Sequence, residues 1–303
     1  MKRIYTSITV ASALLFVLAG CASLDERQRA WIFQPSDRTW SGGLAAAEGM
    51  EDVWITLPTK TDGAQAPQLH GLWLPANQPK APVLLYLHGA RYNVTGSAPR
   101  MRRMQELGFS VLGVDYRGFG KSTHALPSEE SAYEDARAAW EWLAKKYPDR
   151  PRFVFGHSLG GPIAIQLASD VADESGTIVE GTFTSIADVV STSKWGWVPV
   201  SLLITQRFDA ARKVAKIGSP LLVVHGGNDS LIAPDLGRKL YAAAAEPKFF
   251  VLVEGGSHHN TNSIGQPQYR QALSQLFSAH PVCAVPKAYA DTPPGWCNPA
   301  HRL

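Results

Sequence analysis

The stretch FVFGHSLGGPIAIQLASDVA, Phe153 to Ala172, joins a continuous apolar run to a helical pattern through Gly156-His157-Ser158-Leu159-Gly160. A G-x-S-x-G pattern alone is weak, because glycine and serine are common. Its setting between an apolar strand and a helix is the informative part. There a serine is held on a sharp strand-to-helix turn with its hydroxyl exposed. Glycines two before and two after the serine have a steric reason, since strand and helix approach closely and a side chain would clash.

Working outward, apolar runs alternate with helical patterns. The runs are Val53 to Leu57, Leu69 to Leu74, Val83 to His88, Val111 to Asp115, Phe153 to Gly156, Ile178 to Phe183, Leu221 to His225 and Phe249 to Val253. From the third onward they are short and continuously apolar, which predicts parallel strands covered on both faces. The first two read as an antiparallel hairpin around KTDGAQ. Ala136, Trp140, Leu143 and Tyr147 recur at helical spacing, and GPIAIQLASDVA forms another helix. The expected fold is a doubly wound α/β domain with a mostly parallel sheet of about eight strands and helices on both faces.

Composition agrees with one such domain. The 303 residues are 45% hydrophobic and 18% charged, with a net charge of +3, enough to bury a sizeable core and too balanced to attract nucleic acid. The densest basic run, PRMRR from Pro99 to Arg103, reads as the wet face of a helix. GFGKS, Gly118 to Ser122, ends like a phosphate-binding loop, but Asp115 stands where that motif needs its first glycine. The paired histidines His258 and His259 have no third ligand at a usual metal spacing. No cofactor is implied.

A serine hydroxyl is a poor nucleophile at neutral pH and needs a base, with a carboxylate to orient it. In an open α/β sheet such groups sit at the carboxyl ends of strands, and the chain order expected after this kind of turn is serine, acid, histidine. Leu221 to His225 runs into GGNDSLIAP, and Phe249 to Val253 runs into EGGSHHN. Asp229 and one of the paired histidines therefore occupy the expected places.

In order, LYLHG, DYRGFGKS, GHSLGG, HGGND with a following Ala-Pro, and VEGGSHHN make the chain resemble the α/β-hydrolase superfamily of serine hydrolases, in its small-lid branch of membrane-associated esterases and thioesterases. The resemblance covers about Gln28 to His280. It implies Ser158 as nucleophile, Asp229 as acid and His258 as base. Asp235, past Pro234 at the start of a helix, is the competing acid, read as a helix cap; Asp115 belongs to the structural DYRG turn. His259 falls where the family has a polar residue, and Ser257 departs from a position where glycine is common. Oxyanion donors would be the backbone N–H groups of Leu159 and of Ala90, in the loop after the third strand. Arg91 and Tyr92, in place of small or amide residues, would line the cleft rim, with Arg91 favouring anionic substrates. The expected reaction is hydrolysis of an ester or thioester of a small or lipid-like acyl substrate. Peptidase or acyltransferase chemistry on the same fold, or an inactive binding lipoprotein, are the alternatives. The only room for a lid lies at about 186–217, including Trp195 and Trp197.

The N-terminus carries an address. Lys2 and Arg3 precede the mostly apolar Ile8 to Gly20, followed by LAGC, Leu18 to Cys21, a signal-peptide pattern too short for a comfortable membrane span. The ending resembles the lipobox of bacterial lipoproteins. That resemblance implies cleavage before Cys21, acylation of its thiol, and a lipid-anchored envelope protein. Without aspartate at position 22 the outer membrane, facing the periplasm, is favoured. The domain plan is then a signal peptide over 1–20, a tether over 21–30, the hydrolase domain over 31–280 and a Pro-rich tail over 281–303. Outside the cytoplasm Cys283 and Cys297 would form a disulfide closing that tail.

Overall fold

The computed structural model describes residues 22–39, 41–59, 63–192 and 203–277. The signal segment, Cys21, Trp195, Trp197, Cys283 and Cys297 lie outside the described residues.

Eight strands form one sheet in the order β1-β2-β4-β3-β5-β6-β7-β8. They are β1 (Glu51–Thr56), β2 (Gln68–Leu74), β3 (Val83–Leu87), β4 (Ser110–Val114), β5 (Arg152–His157), β6 (Gly176–Glu180), β7 (Leu221–Gly226) and β8 (Lys248–Val253). β1 and β2 pair antiparallel, as do β2 and β4, and every later pairing is parallel. All eight apolar runs are strands, with ends displaced by a few residues. The largest difference is β6, which stops at Glu180 because Gly181 turns the chain at φ +56°. Phe183 is buried beyond the strand, so its hydrophobicity reports packing and not pairing.

The helices are α1 (22–33), α2 (Ser41–Ala47), α3 (Ala98–Glu106), α4 (Glu129–Lys146), α5 (Gly160–Asp170), α6 (Ile186–Thr192), α7 (Pro234–Ala243), α8 (Thr261–Ile264) and α9 (Gln266–Phe277). α4 shows the local logic. Ser128 and Ser131 exchange side-chain and backbone bonds across its first turn in a capping box, with Glu129 and Glu130 at its start and Lys145 and Lys146 at its end, each matched to the helix dipole. Residues on β3, β5, β6 and β7 are almost all buried because helices cover both faces. One core packs Phe33, Trp140, Leu143 and Ile163 on one face; the other packs Met101, Met104, Tyr269, Leu273 and Phe277 on the opposite face.

Much of the stretch expected as a tether is helical. α1 ends in Phe33, fully buried and edge-on to Phe208 at 5.7 Å. Gln28 bonds the Leu203 carbonyl and the Thr205 N–H, and Gln206 bonds Asp25, so α1 is tied to the segment between β6 and β7. Among the described residues no helix is long and apolar enough to cross a membrane.

β4 lies on one side of β3 and β5 on the other. The chain reverses its direction of travel across the sheet there, which opens a crevice at the carboxyl ends of β3 and β5.

Candidate active site

Ser158 follows β5 with φ +54°, a left-handed backbone that costs about 1–2 kcal/mol in a residue with a Cβ. Surrounding bonds impose it. The Ser158 N–H donates to the Glu180 carbonyl at 2.9 Å, and the Ser158 carbonyl accepts from the Gly161 N–H at 2.9 Å and from Thr182 Oγ1 at 2.9 Å. The glycines around it are required by contact: a Cβ at Gly156 would overlap the Gly160 carbonyl, and one at Gly160 the Leu87 carbonyl. This is the close strand-helix approach expected from the sequence.

Asp229 lies three residues past β7 and His258 five past β8. His258 Nδ1 donates to Asp229 Oδ2 at 2.8 Å. With the proton of a neutral imidazole on Nδ1, the lone pair is on Nε2. The other carboxylate oxygen accepts the N–H groups of Leu231 and Ile232, both at 2.9 Å. Burial disfavours ionisation of Asp229, but His225, His258 and the Ile232 N–H outweigh it and hold the carboxyl well below the usual carboxylate range. The pair is buried, Asp229 at 6% and His258 at 8% exposure.

The Ser158 turn and the Asp229–His258 pair both border the stretch Glu180–Gly181. Gly181 follows Glu180, whose carbonyl holds the serine N–H, and a Cβ on it would lie 3.4 Å from both Asp229 Oδ2 and His258 Nδ1. His157, adjacent to the serine, places its ring 4.9 Å from the His258 ring. Burial, with Arg100 and His258 nearby, keeps His157 well below the ordinary histidine range. It is therefore neutral, and its Nε2–H donates to the His258 carbonyl at 3.2 Å.

The loop after β3 closes the other side. A Cβ on Gly89 would sit 3.1 Å from Ser158 Cβ, so Gly89 and Ala90 run beside the serine. The loop is held by the Tyr116 hydroxyl on the His88 carbonyl at 3.1 Å, by Val94 N–H on Asp115 Oδ1 at 2.6 Å, and by Arg91 N–H on the Phe33 carbonyl at 3.0 Å. Among the described residues the N–H groups of Leu159 and Ala90 are donated to no other protein group.

The remaining sequence candidates separate. Asp235 is exposed in the first turn of α7, where Ala233 is the N-cap residue and makes no side-chain cap. Its carboxylate therefore complements the helix end without capping it. Asp115 is a buried hub for His70, His88 and Val94, and Gly120 packs directly on it, so the DYRG turn is structural. Lys121 of GFGKS pairs with Asp52 at 3.0 Å. His259 is exposed, edge-on to His258 at 5.5 Å. Ser257 gives both its N–H and its hydroxyl to Asn260 Oδ1, at 2.7 and 2.9 Å, so serine fits here by closing the turn that carries His258. Arg91, exposed at φ +83°, has no acidic partner among the described residues.

PRMRR is helical as expected, but Arg100 is no wet residue. Its side chain is 12% exposed and pairs with the buried Glu180 at 2.8 Å. Neither Arg100 nor Glu180 was among the candidates. The available signals were an acid ending the apolar run TIVE, which must be compensated if buried, and an arginine one helical turn before the apolar Met104.

Comparisons with known proteins agree with this architecture. The Hydrolase_4 family, described as "Serine aminopeptidase, S33", matches residues 77–208. The uncharacterized protein Rv2307c of Mycobacterium tuberculosis is 30% identical over 263 residues, covering 86% of this chain and 90% of that protein. Lysophosphatidylserine lipase ABHD12 of Danio rerio is 28% identical over 71% of this chain and 61% of its own length. Among solved structures, the Pyrococcus furiosus esterase Pf2001 superposes with a TM-score of 0.62 at 19% identity, covering 81% of this chain and 97% of that one. A puromycin-hydrolyzing peptidase of Mycobacterium tuberculosis superposes at 0.54 with 18% identity, over 73% of this chain and 39% of that one. By its sheet order, its family match and these relatives, the chain belongs to the α/β-hydrolase superfamily.

Proposed function

We propose that the protein is a serine hydrolase that cleaves carboxylic ester or thioester bonds through an acyl-enzyme on Ser158. The observation that carries the reading is the His258–Asp229 bond of 2.8 Å beside Gly181, next to the Glu180 carbonyl that holds the N–H of a serine at φ +54°.

In this mechanism His258 Nε2 takes the Ser158 hydroxyl proton as Oγ attacks the acyl carbonyl. The new carbonyl oxyanion is stabilised by the N–H groups of Leu159 and Ala90. Collapse breaks the bond to the leaving alkoxide or thiolate, which receives the proton from His258. Water then attacks the acyl-serine with His258 again as base, releasing the acid and restoring the hydroxyl. Asp229, ionised throughout, stabilises the imidazolium each time it forms. Arg91 at the rim supports a preference for substrates with an anionic group; equal turnover of neutral and anionic acyl esters by wild type and Arg91→Ala would remove that part.

The Leu18-Ala-Gly-Cys21 pattern supports lipidation of Cys21 and attachment to the periplasmic face of the outer membrane. Loss of palmitate labelling in Cys21→Ala tests it. A non-reducing mass measurement of the Cys283–Cys297 peptide pair tests the tail disulfide.

The decisive experiment is intact-mass measurement after exposure to a fluorophosphonate. Wild type gains one adduct and Ser158→Ala gains none; an unmodified wild type refutes the reading. A panel of acyl esters, acyl thioesters and aminoacyl anilides then separates esterase or thioesterase from aminopeptidase action. Faster turnover of the anilides would replace the proposed substrate class.

A further inference from the structure

α3 aims two of its three arginines at the segment carrying His258. Arg103 Nε donates to Asn262 Oδ1 at 2.7 Å. Arg100 spends its fork on three acceptors: Nε on Glu180 Oε1 at 2.8 Å, and Nη2 on the carbonyls of His258 and His259 at 3.2 and 3.3 Å.

Glu180 is fully buried as the last residue of β6. A buried carboxylate in an apolar strand is expensive unless compensated. Its second oxygen accepts the Tyr269 hydroxyl, so both oxygens are satisfied. The same residue's backbone carbonyl fixes the Ser158 N–H. A buried ion pair is weak evidence of stabilisation, since apolar residues of similar volume serve a core as well or better. What apolar residues could not supply is the link: one residue holds the nucleophile through its main chain and the base loop through its side chain and Arg100.

We infer that Arg100, braced by Glu180, is a positioning residue that sets the backbone of His258 against the turn bearing Ser158. The inference rests on the triad reading above. The His258 carbonyl receives two donors, Arg100 Nη2 and His157 Nε2, and His157 adjoins the serine, so the base is tied to the nucleophile's own turn by a second route. A planar guanidinium can face a carboxylate with one edge and two successive carbonyls with another; a lysine ammonium is a point charge and cannot span them. Tyr269 binds Glu180 through Oε2, not through the Oε1 that Arg100 holds, and gives the contrast.

The test measures kcat and KM on a p-nitrophenyl ester, the second-order rate of fluorophosphonate labelling, and Tm, all with the full chain. Arg100→Lys keeps a cation beside Glu180. It is expected to stay within a few degrees of wild type in Tm and about twofold in KM, with kcat and labelling rate reduced about 10–100-fold, as when a supporting residue lets reacting groups drift by a fraction of an ångström. Arg100→Ala loses at least as much kcat and recovers part of it in millimolar guanidinium. Tyr269→Phe lowers Tm but keeps kcat within about twofold. Wild-type kcat in Arg100→Lys, a loss that merely follows the folded fraction, or an equal kcat loss in Tyr269→Phe overturns the inference. A labelled wild type with Arg100→Lys labelled equally fast overturns it alone, whereas an unlabelled wild type removes the triad reading and this inference with it.

Discussion

Replacing Asp229 by asparagine tests the acid assignment with little change of volume. The Asn carbonyl can keep accepting the Leu231 and Ile232 N–H groups, which meet Oδ1 at 2.9 Å, so the loop after β7 keeps its shape. The amide NH2 then faces His258 Nδ1 across the former 2.8 Å bond. Two donors cannot face each other, so the imidazole moves its proton to Nε2 and presents N–H, not a lone pair, to the serine. The charge is lost as well. A carboxylate and an imidazolium 2.8 Å apart interact by about 6 kcal/mol at an effective dielectric near 20, equivalent to about four decades in rate at ~1.4 kcal/mol per decade. Part of that favours the neutral ground state too, so kcat/KM should fall by about 10³- to 10⁴-fold. The assay is p-nitrophenyl ester hydrolysis by stopped flow, with active sites counted by fluorophosphonate, and Asp235→Asn as the companion variant at wild-type activity. A folded Asp229→Asn within tenfold of wild type, or an equal loss in Asp235→Asn, refutes the assignment.

Three further outcomes follow from the same geometry. For His70, burial opposes the charge but Asp115 and Asp52 outweigh it and raise its pKa; the stability gained is fully present below about pH 6.5 and lost as pH rises through the raised value. The Tm gap between wild type and His70→Gln should therefore shrink between about pH 6 and pH 9, and a gap that widens refutes the sign. Phe33→Ala empties a fully buried site between Phe119 and Phe208 and should cost about 3–5 kcal/mol, read by urea unfolding; a loss under about 1 kcal/mol would mean α1 is not part of the cooperative core. Gly181→Ala puts a side chain at φ +56° against Asp229 and His258. It should lower kcat more than about tenfold at near-wild-type KM; unchanged kcat would show that the pair has room to spare.

The strands from β3 onward were legible because burial on both faces leaves uninterrupted apolar runs, and the hairpin because the turn-forming stretch KTDGAQ separates its two runs. The positions of Ser158, Asp229 and the histidine pair were legible because each stands just past such a run; of the pair, His258 is the one that bonds Asp229. Helix α1 was hidden. Half of its twelve residues 22–33 are apolar, but they crowd at its two ends and only Ile32 and Phe33 are buried, so no strong period marks it. Arg100 was hidden by its neighbours. In PRMRR three arginines suggest a solvated face, yet helical spacing puts Arg100 on the same side as Met104, which is fully buried. A charge on an apolar face signals a buried counter-charge, and Glu180, 80 residues away, becomes its neighbour only through the fold.

The sheet order explains why so much converges on the end of β6. β5 carries the serine turn and β7 the Asp229 loop, and β6 lies between them. Whatever follows β6 must pass through the gap where the two loops meet, so position 181 is glycine and the chain turns there at φ +56°. The residues on either side are then the ones able to brace both loops. Thr182 Oγ1 donates to the Ser158 carbonyl at 2.9 Å, and Glu180 holds the Ser158 N–H with its own carbonyl while its side chain anchors Arg100. A carboxylate at the end of a buried strand is costly wherever it stands. Here it stands at a point of the sheet from which a single residue reaches the Ser158 turn by main chain and the His258 loop through one arginine, and that placement gives the cost a structural reason.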